Sequence, residues 1–571
     1  MRRRAISFLA VLGLLATACS STPGATQAPT AAATAAATAA ATAAATAAAT
    51  AAPTAAPTAA PSAAGTADTL NIHWLGDITP LWHPSLGETF SQSLNFYLMF
   101  NKLIEREWAA DGSWKPKADL ADTWEITPDG LTWTFHLHPG VKWQDGQPVT
   151  ANDVAFTINY AAKVSIFKNP TKAWSAITGW QDVRDGKAQT VSGVKVVDDN
   201  TIALTISAPN ADYFSDLTDY SSFIMPEHVL KDVDPAKLDT SEFATTKPIG
   251  SGPYKFVKYE PDQYTQFEAY ADYFKGPAKI QKIFIKRLTG DQAIAQLQAG
   301  ELDLSVRLNP AEKAHLEAVP TLDVISTPGV GTASLYMNLL TVTDVKTRQA
   351  IAYAVDAKGI VDGVFGGAGR LNRGVNPGMP AADDQIFYEF DAAKAKTLLD
   401  SSSWDKSKPL RILYDKGFAG VDNYAPILQQ NLEAIGFKVQ LMGLESAAAV
   451  PQYDKIDTYD VTIAQGGDQG VGPFRTQLYF SCKQVDPPHF KTYSRNCAID
   501  DAFVAARKEL DPAKQAAIFK SISKMIADEV EKVSFWTTNA LSAKVKGLQG
   551  VIVPPDTREF IVGAENWTLT K

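Results

Sequence analysis

An aspartate stands in a glycine-rich segment near the C-terminal end of the chain. The residues of this segment are, in order, Ala464, Gln465, Gly466, Gly467, Asp468, Gln469 and Gly470. Apolar side chains alternate just before it, at Tyr459, Val461 and Ile463, which predicts a strand. Glycines let a ligand backbone approach closely, and a carboxylate enclosed in a cleft pairs with a cation such as an ammonium group. The segment also fits a turn in which Asp468 caps its own backbone.

Two cysteines, Cys482 and Cys497, follow this segment. In a protein exported to an oxidising compartment, a disulfide between them is the default interpretation. It would close a loop of 16 residues, and such a loop is worth about 3 kcal/mol in the chain-entropy description. Metal ligation is the alternative, but His489 is the only histidine between them, so the set is incomplete.

The sequence carries few signs of catalysis. It contains no His-Glu-x-x-His pair, no Gly-x-Ser-x-Gly turn and no phosphate-binding glycine-rich loop with a lysine. A glycosidase needs only two carboxylates, so the lack of motifs is weak evidence against glycosidase activity. His136 and His138 share one face of a predicted strand but lack a third metal ligand nearby. We therefore predict a protein that is not an enzyme and has no cofactor or metal.

The N-terminus has the pattern of an export signal. Three arginines at positions 2 to 4 precede an apolar stretch, residues 5–18, that is too short to span a bilayer, so residues 1–18 are predicted to be a signal peptide. The small residues before Cys19 resemble the lipobox of bacterial prolipoproteins, although Ala16 stands where leucine is preferred. We expect Cys19 to be lipidated and to anchor the protein to the outer face of the cell membrane. Secretion with cleavage after Ala18 is the alternative.

Composition changes after the predicted anchor. Residues 20–67 contain no charged side chain and repeat alanine, threonine and proline, so 19–67 is predicted to be a lipidated cysteine followed by a disordered tether.

Of the whole chain, 45% of residues are hydrophobic and 20% are charged, which is typical of globular proteins. The net charge of −9 gives no basic surplus for nucleic acid. A chain of 571 residues is too long for one core, so two or more lobes are expected.

Beyond residue 68 the patterns of strands and helices alternate. Residues 131–138 alternate apolar and polar side chains, which predicts a half-buried strand. Asp391 is predicted to cap a helix running to about Leu399, and a second helix from about Tyr424 is predicted to end at Gly436. Asp511 followed by proline predicts a further helix start. This alternation indicates an α/β lobe.

Several longer motifs resemble the family 5 extracellular solute-binding proteins, the oligopeptide, dipeptide and nickel receptors of ABC importers. The resemblance covers roughly residues 69–550, and its most specific stretch is 120–146, LADTWEITPDGLTWTFHLHPGVKWQDG. Three shorter motifs follow in the family's order, and each has a structural explanation as a turn, a helix stop or a helix start. They are PIGSGPY at 248–254, AGELD at 299–303 and DVKTRQAIAYAVD at 344–356.

The resemblance implies an α/β, periplasmic-binding-protein-like two-lobed clamshell of the cluster C type, with an extra domain in lobe one. Such lobes close over a ligand about hinges where the chain crosses between them. The implied boundaries are 68–335 for lobe one, with the extra domain at about 114–248, then 336–542 for lobe two and 543–571 for a C-terminal return to lobe one.

The resemblance also implies a ligand and a site. Asp468 occupies the place of an aspartate that pairs with a peptide's α-ammonium, with Ala464, Gly466, Gly467 and Gln469 around it, although the family's nearby tryptophan is absent here. Glu88 and Phe90 fall where peptide receptors pair an extended segment with the ligand backbone. We expect a monomer that captures short peptides for membrane-bound ABC permease subunits. An oligosaccharide or another solute such as a nickel complex is the alternative ligand.

Overall fold

A computed structural model describes most of the chain beyond residue 66. The described residues are 67–74, 81–84, 86, 93–109, 113–164, 172–327, 329, 332–372, 388–416, 420–453, 455–465, 474, 477–480, 482, 496–555 and 557–571. Among them, no helix combines the length and the apolar character needed to span a lipid bilayer.

Strands and helices alternate along this part of the chain. The strands are β1 Thr69–His73, β2 Ile104–Trp108, β3 Trp114–Ala118, β4 Ala121–Ile126, β5 Thr132–Leu137, β6 Val194–Asp198, β7 Thr201–Thr205, β8 Tyr254–Glu260, β9 Tyr264–Ala269, β10 Lys282–Lys286, β11 Leu304–Leu308, β12 Leu322–Thr327, β13 Thr332–Met337, β14 Gly369–Leu371, β15 Pro409–Asp415, β16 Lys438–Leu444, β17 Val461–Gln465, β18 Lys532–Thr538, β19 Ala540–Val545, β20 Leu548–Gln549 and β21 Thr568–Leu569. The α-helices are α1 Ser93–Met99, α2 Ala151–Lys163, α3 Lys172–Ser175, α4 Trp180–Arg184, α5 Tyr213–Leu217, α6 Glu227–Leu230, α7 Glu242–Thr245, α8 Gly290–Ala299, α9 Lys313–Glu317, α10 Val345–Ala354, α11 Ala357–Phe365, α12 Ala392–Asp400, α13 Val421–Ala434, α14 Ser446–Ala449, α15 Gln477–Phe480, α16 Cys497–Lys508 and α17 Pro512–Glu529.

The first large sheet defines lobe one. Within the described residues it has seven strands in the order β12-β19-β11-β1-β10-β9-β8. The central strand β1 runs parallel to β10 and β11, and the outer strands are antiparallel to their neighbours. Leu70 and Ile72 on β1 are fully buried, so this sheet is covered by other elements and its centre lies in the core of the lobe.

The extra domain of lobe one is built on a smaller antiparallel sheet, β4-β5-β7-β6. The strand predicted at residues 131–138 is confirmed as β5, because Trp133, Phe135 and Leu137 are buried and alternate with less buried residues. Helix α2 packs near this sheet and begins with a capping box in which Thr150 and Asp153 satisfy each other's backbone amides.

The second large sheet defines lobe two. Among the described strands its order is β14-β18-β13-β17-β15-β16, and β15 runs parallel to both β16 and β17. Leu335, Ile412 and Val461 belong to its apolar cluster, which is separate from that of lobe one. The predicted helix start at Asp391 is confirmed, since its carboxylate accepts a hydrogen bond from the Lys394 amide.

A helical hairpin, α16 and α17, completes lobe two. The predicted start of α17 is confirmed, because Asp511 caps the helix and Pro512 is its first residue. Phe503 from α16 and Phe519 and Ile522 from α17 are fully buried in a small cluster of their own. This hairpin leads directly into β18 in the sheet of lobe two.

The helix predicted to start near Tyr424 begins earlier than expected. It starts at Val421 because Gly420, in the left-handed conformation, forms the turn that precedes it. The predicted stop at Gly436 is confirmed, since α13 ends at Ala434 and Gly436 has a φ of 110°.

The chain crosses between the two large sheets at two described places. It leaves lobe one after Thr327 and enters lobe two at Thr332, and it returns between Thr538 and Ala540. The predicted boundaries after residues 335 and 542 therefore fall within β13 and β19, a few residues beyond the crossings. The strand periodicity continues on both sides of each crossing and so does not mark where the sheet changes.

Candidate functional site

The two crossing segments touch each other where the lobes meet. A Cβ atom placed on Gly329 would lie 2.3 Å from the carbonyl oxygen of Thr538, so only glycine fits this close approach. In the second crossing, the Asn539 amide group donates to the Ser326 hydroxyl over 3.0 Å. The crossings therefore form one contiguous connection, the arrangement expected of a hinge.

In lobe two, β17, the strand before the predicted ligand segment, ends at the edge of the sheet nearest the crossings. Gln465, the last residue of β17, lies opposite Ala333, and Ala464 lies opposite Ser334, close to the start of β13. Ala464 is 1% exposed. Because β15 is parallel to β17, its carboxyl end at Asp415 faces the same way. Carboxyl ends of parallel strands are the usual binding edge of such sheets.

The residues that would complete this part of the site fall outside the described residues. They are Gly466, Gly467, Asp468 and Gln469. Their roles in ligand binding remain predictions, as does that of Ala464.

In lobe one, β1 is the strand that precedes Glu88 and Phe90 in the sequence. Strand β1 is parallel to β11, and the end of β11 at Leu308 pairs with Leu541, next to the returning crossing. The carboxyl end of β1 at His73 therefore lies at the edge of the sheet that is nearest the crossings. Glu88 and Phe90 themselves lie outside the described residues, so their contact with a ligand remains a prediction.

Two histidines flank the start of this segment in lobe one. His73 is 1% exposed and His83 is 3% exposed. Burial lowers the pKa of His73 to about 4, partly opposed by its hydrogen bond to the Leu288 carbonyl, and burial lowers the pKa of His83 to about 3. Both imidazoles are therefore neutral at physiological pH and contribute no charge to the site.

A small cavity lies between His83 and the extra domain. Its wall includes Thr157 and Tyr160 from α2, together with Trp174 and Phe223. Its volume of about 10 Å³ is that of roughly one water molecule. The cavity is therefore too small to hold a peptide side chain.

Asn95 on α1 is a candidate that sequence reasoning missed. It is fully buried. Within the described part of the chain, neither its side-chain nitrogen nor its side-chain oxygen has a hydrogen-bond partner. A carboxamide offers one donor group and one acceptor, the combination that a peptide group also presents. The only sequence signal was its position five residues after Phe90.

Cys482 and Cys497 are joined by a disulfide, with their Cα atoms 5.2 Å apart. The Cys482 amide also donates to a carboxylate oxygen of Asp500 on α16 over 2.8 Å, and Gln477 donates to the other oxygen over 3.3 Å. The chain that follows the predicted ligand segment is thus fastened to the first turn of α16.

His138, considered above as a metal ligand, and Arg348, in the motif at 344–356, have structural partners. His138 Nδ1 lies 3.0 Å from the Asp122 carboxylate. Arg348 donates from its guanidinium to the backbone carbonyls of Val342, Thr343 and Glu529. No group of three or more His, Cys, Asp or Glu side chains is placed to hold a metal ion in the part of the chain that the structure describes.

Comparisons with known proteins agree with this architecture. The profile of the bacterial extracellular solute-binding proteins, family 5 Middle, matches residues 115–486. A dipeptide-binding protein of Escherichia coli K12 is 26% identical over 485 residues, which cover 80% of this chain and 87% of the relative.

Solved structures share the fold. The oligopeptide-binding protein AppA of Bacillus subtilis, in complex with a nonapeptide, superposes with a TM-score of 0.74 at 22% identity, over 89% of this chain and all of AppA. NikZ of Campylobacter jejuni, in complex with Ni(L-His), gives a TM-score of 0.70 at 22% identity, over 88% of this chain and 99% of NikZ. The profile match, which spans more than half of the chain, and the shared two-lobed fold identify this protein as a member of the family 5 bacterial extracellular solute-binding proteins.

Proposed function

We propose that this protein is the extracytoplasmic receptor of an ABC importer, and that it captures short peptides by closure of its two lobes and passes them on unchanged. The observation that carries the proposal is the position of the strand ends that precede the two predicted ligand segments. Strands β1 and β17 each end at the edge of their sheet nearest the two crossings, so the segments that follow them would face one cleft from opposite lobes. Closure about such crossings encloses a ligand between lobes.

Within this cleft, Asp468 is the proposed partner of the ligand's terminal ammonium. The position of the end of β17 supports this role, since this strand ends at the binding edge of its sheet and Asp468 follows three residues later in the sequence. Glu88 and Phe90 are proposed to pair with the peptide backbone from lobe one. Pairing with the backbone would let one receptor accept many side chains, because backbone hydrogen bonds do not depend on residue identity.

A peptide is favoured over other solutes by two of the three relatives named above. The Escherichia coli relative is named for dipeptides and AppA was solved with a nonapeptide. NikZ was solved with a nickel–histidine complex. A metal complex or a sugar is therefore an alternative outcome of the experiment below.

The proposal includes attachment of the N-terminus to the membrane. Cys19, which lies outside the described residues, is proposed to be lipidated after signal cleavage, with residues 20–67 as the tether. Two acyl chains are needed for stable anchoring, since one myristoyl-class chain binds only marginally. An anchored receptor would deliver its ligand to permease subunits in the same membrane.

Calorimetry with a peptide and its N-acetylated twin tests the proposed site. Asp468→Asn keeps the size of the side chain and removes its charge, so the ligand's ammonium would be enclosed without a counter-ion. We expect both the substitution and the acetylation to weaken binding by about 2 to 5 kcal/mol, as for a desolvated pair. A loss below about 1 kcal/mol in both cases would identify Asp468 as a solvated turn residue and favour a different class of solute.

A further inference from the structure

The C-terminal end of α16 in lobe two touches the extra domain of lobe one. Arg507 lies in the last turn of this helix. Its guanidinium donates to the Asn210 side-chain oxygen over 3.3 Å and lies 3.6 Å from the Asp216 carboxylate. Its backbone carbonyl accepts a hydrogen bond from the Ala211 amide over 3.0 Å. One residue therefore makes three polar contacts across the two lobes.

The lobe-one side of this contact is a preorganised acceptor. The Asn210 amide group donates to the Asp216 carboxylate over 2.9 Å, which holds both groups in place. The Asp216 side chain is 7% exposed, whereas that of Arg507 is 27% exposed. Burial raises the pKa of Asp216, and the nearby charges of Arg507 and Lys172 oppose this rise. Separation of the lobes would move the charge of Arg507 away from Asp216 and leave that of Lys172 in place.

A nearby apolar contact supports the same interface. A Cβ atom placed on Gly130, in the turn between β4 and β5, would lie 3.4 Å from a methyl group of Leu510. Leu510 lies two residues after the end of α16 and is 50% exposed. The contact between the lobes therefore extends beyond a single ion pair.

Arg507 also contacts the chain that follows the predicted ligand segment. Its guanidinium lies 4.3 Å from the ring centroid of Phe474, a distance typical of a cation–π contact. Phe474 is 2% exposed and packs against Phe519 of α17. The other end of α16 is joined to the same chain segment by the disulfide between Cys497 and Cys482. Helix α16 is thus fastened near both ends to the residues that follow Asp468.

We propose that this contact belongs to the closed receptor and that Arg507 is an interlobe latch. Its pairing with Asp216 and Asn210 would stabilise the closed state, and its contact with Phe474 would couple this latch to the ligand side of lobe two. The inference rests on the lobe closure in the proposed function, but not on the identity of the ligand. A lysine would not serve equally, because the planar guanidinium stacks on a ring and bonds two acceptors at once.

The test measures the closed population of ligand-free, refolded protein by single-molecule energy transfer between dyes on the two lobes. Arg507→Met removes the charge and keeps an apolar stem against Phe474, and Asp216→Asn removes the partner charge. Each substitution is expected to lower the closed-to-open ratio by about fivefold to thirtyfold, and the double variant no further than the stronger single variant. Lys508→Met, which removes the same charge from the adjacent exposed position, is the matched control and should leave the ratio unchanged.

Equal closed-to-open ratios in Arg507→Met, Asp216→Asn, Lys508→Met and the unmodified protein would overturn the latch. Hydrogen exchange tests the coupling separately. In Arg507→Met, exchange should rise both in peptides covering 210–217 and in the peptide that contains Phe474, while unchanged exchange around Phe474 would overturn the coupling. Neither measurement uses a ligand. Both therefore still test the latch and its coupling if the protein turns out not to bind peptides.

Discussion

Lowering the pH should destabilise the protein through His73, a buried imidazole in the central sheet of lobe one. Its Nε2 donates to the Leu288 carbonyl over 3.1 Å, and its Nδ1 lies 2.8 Å from the Ser305 hydroxyl. Since a carbonyl oxygen only accepts, Nε2 carries the proton and Nδ1 accepts from the serine. The neutral ring is therefore fully paired, whereas a second proton on Nδ1 would replace an accepted hydrogen bond with a buried charge.

The sign and the size of the effect follow from the pKa. Burial lowers the pKa of His73 from 6.5 to about 4, so between these values the unfolded chain binds a proton that the folded chain does not. The contribution of His73 to stability is complete above about pH 6.5 and is lost as the pH falls toward 4. At about 1.36 kcal/mol per pH unit, the full loss is roughly 3 kcal/mol and the loss at pH 5 is about 2 kcal/mol.

Urea unfolding of the unmodified protein and of His73→Gln at pH 7.5 and pH 5 isolates this contribution. Other groups titrate in the same range, including Asp212, whose pKa burial raises to about 7, but they are common to both proteins and cancel in the difference. The stability advantage of the unmodified protein over His73→Gln should shrink by about 2 kcal/mol at pH 5. The control is His315→Gln, which replaces a histidine that is exposed instead of buried. A difference that stays constant with pH would refute the reasoning.

Three further predictions concern the disulfide, the crossings and the anchor. Replacing Cys482 and Cys497 together by serine should lower the free energy of unfolding by about 3 kcal/mol, and two freely alkylated thiols in exported protein would contradict the bond. Gly329→Ala should destabilise the protein by about 1 to 3 kcal/mol in denaturant unfolding, because its methyl group would collide with the other crossing. Gly363→Ala, with open space around its Cβ, should not destabilise it. Cys19→Ser should release the protein from the membrane fraction, and equal retention would exclude lipid anchoring at this residue.

Local patterns in the sequence were sufficient to predict individual elements. The alternation of Trp133, Phe135 and Leu137 predicted β5, and the caps Asp391 and Asp511 predicted the starts of α12 and α17. These features depend on residues a few positions apart, so the sequence contains them directly. The family resemblance then supplied the two-lobed arrangement that periodicity alone could not provide.

Contacts between distant parts of the chain were not predictable in this way. Arg507 and Asn210 are 297 residues apart, and His73 and Ser305 are 232 residues apart. Nothing in the local pattern around Arg507 indicates a partner in the other lobe, since an arginine in the last helical turn is favourable for the helix dipole by itself. The crossings lie between β12 and β13 and between β18 and β19, and a local strand pattern does not show which sheet a strand joins.

Native mass spectrometry of the purified protein tests the central claim most directly, since it measures the mass of whatever ligand is carried in the cleft. The account predicts a bound species of peptide mass, which fragments into amino-acid residues and is released with an unmodified N-terminus after the protein is unfolded. A carried sugar or metal complex, or a free-amino peptide that is returned cleaved after incubation with the protein, would contradict the claim of a peptide receptor that releases its ligand unchanged.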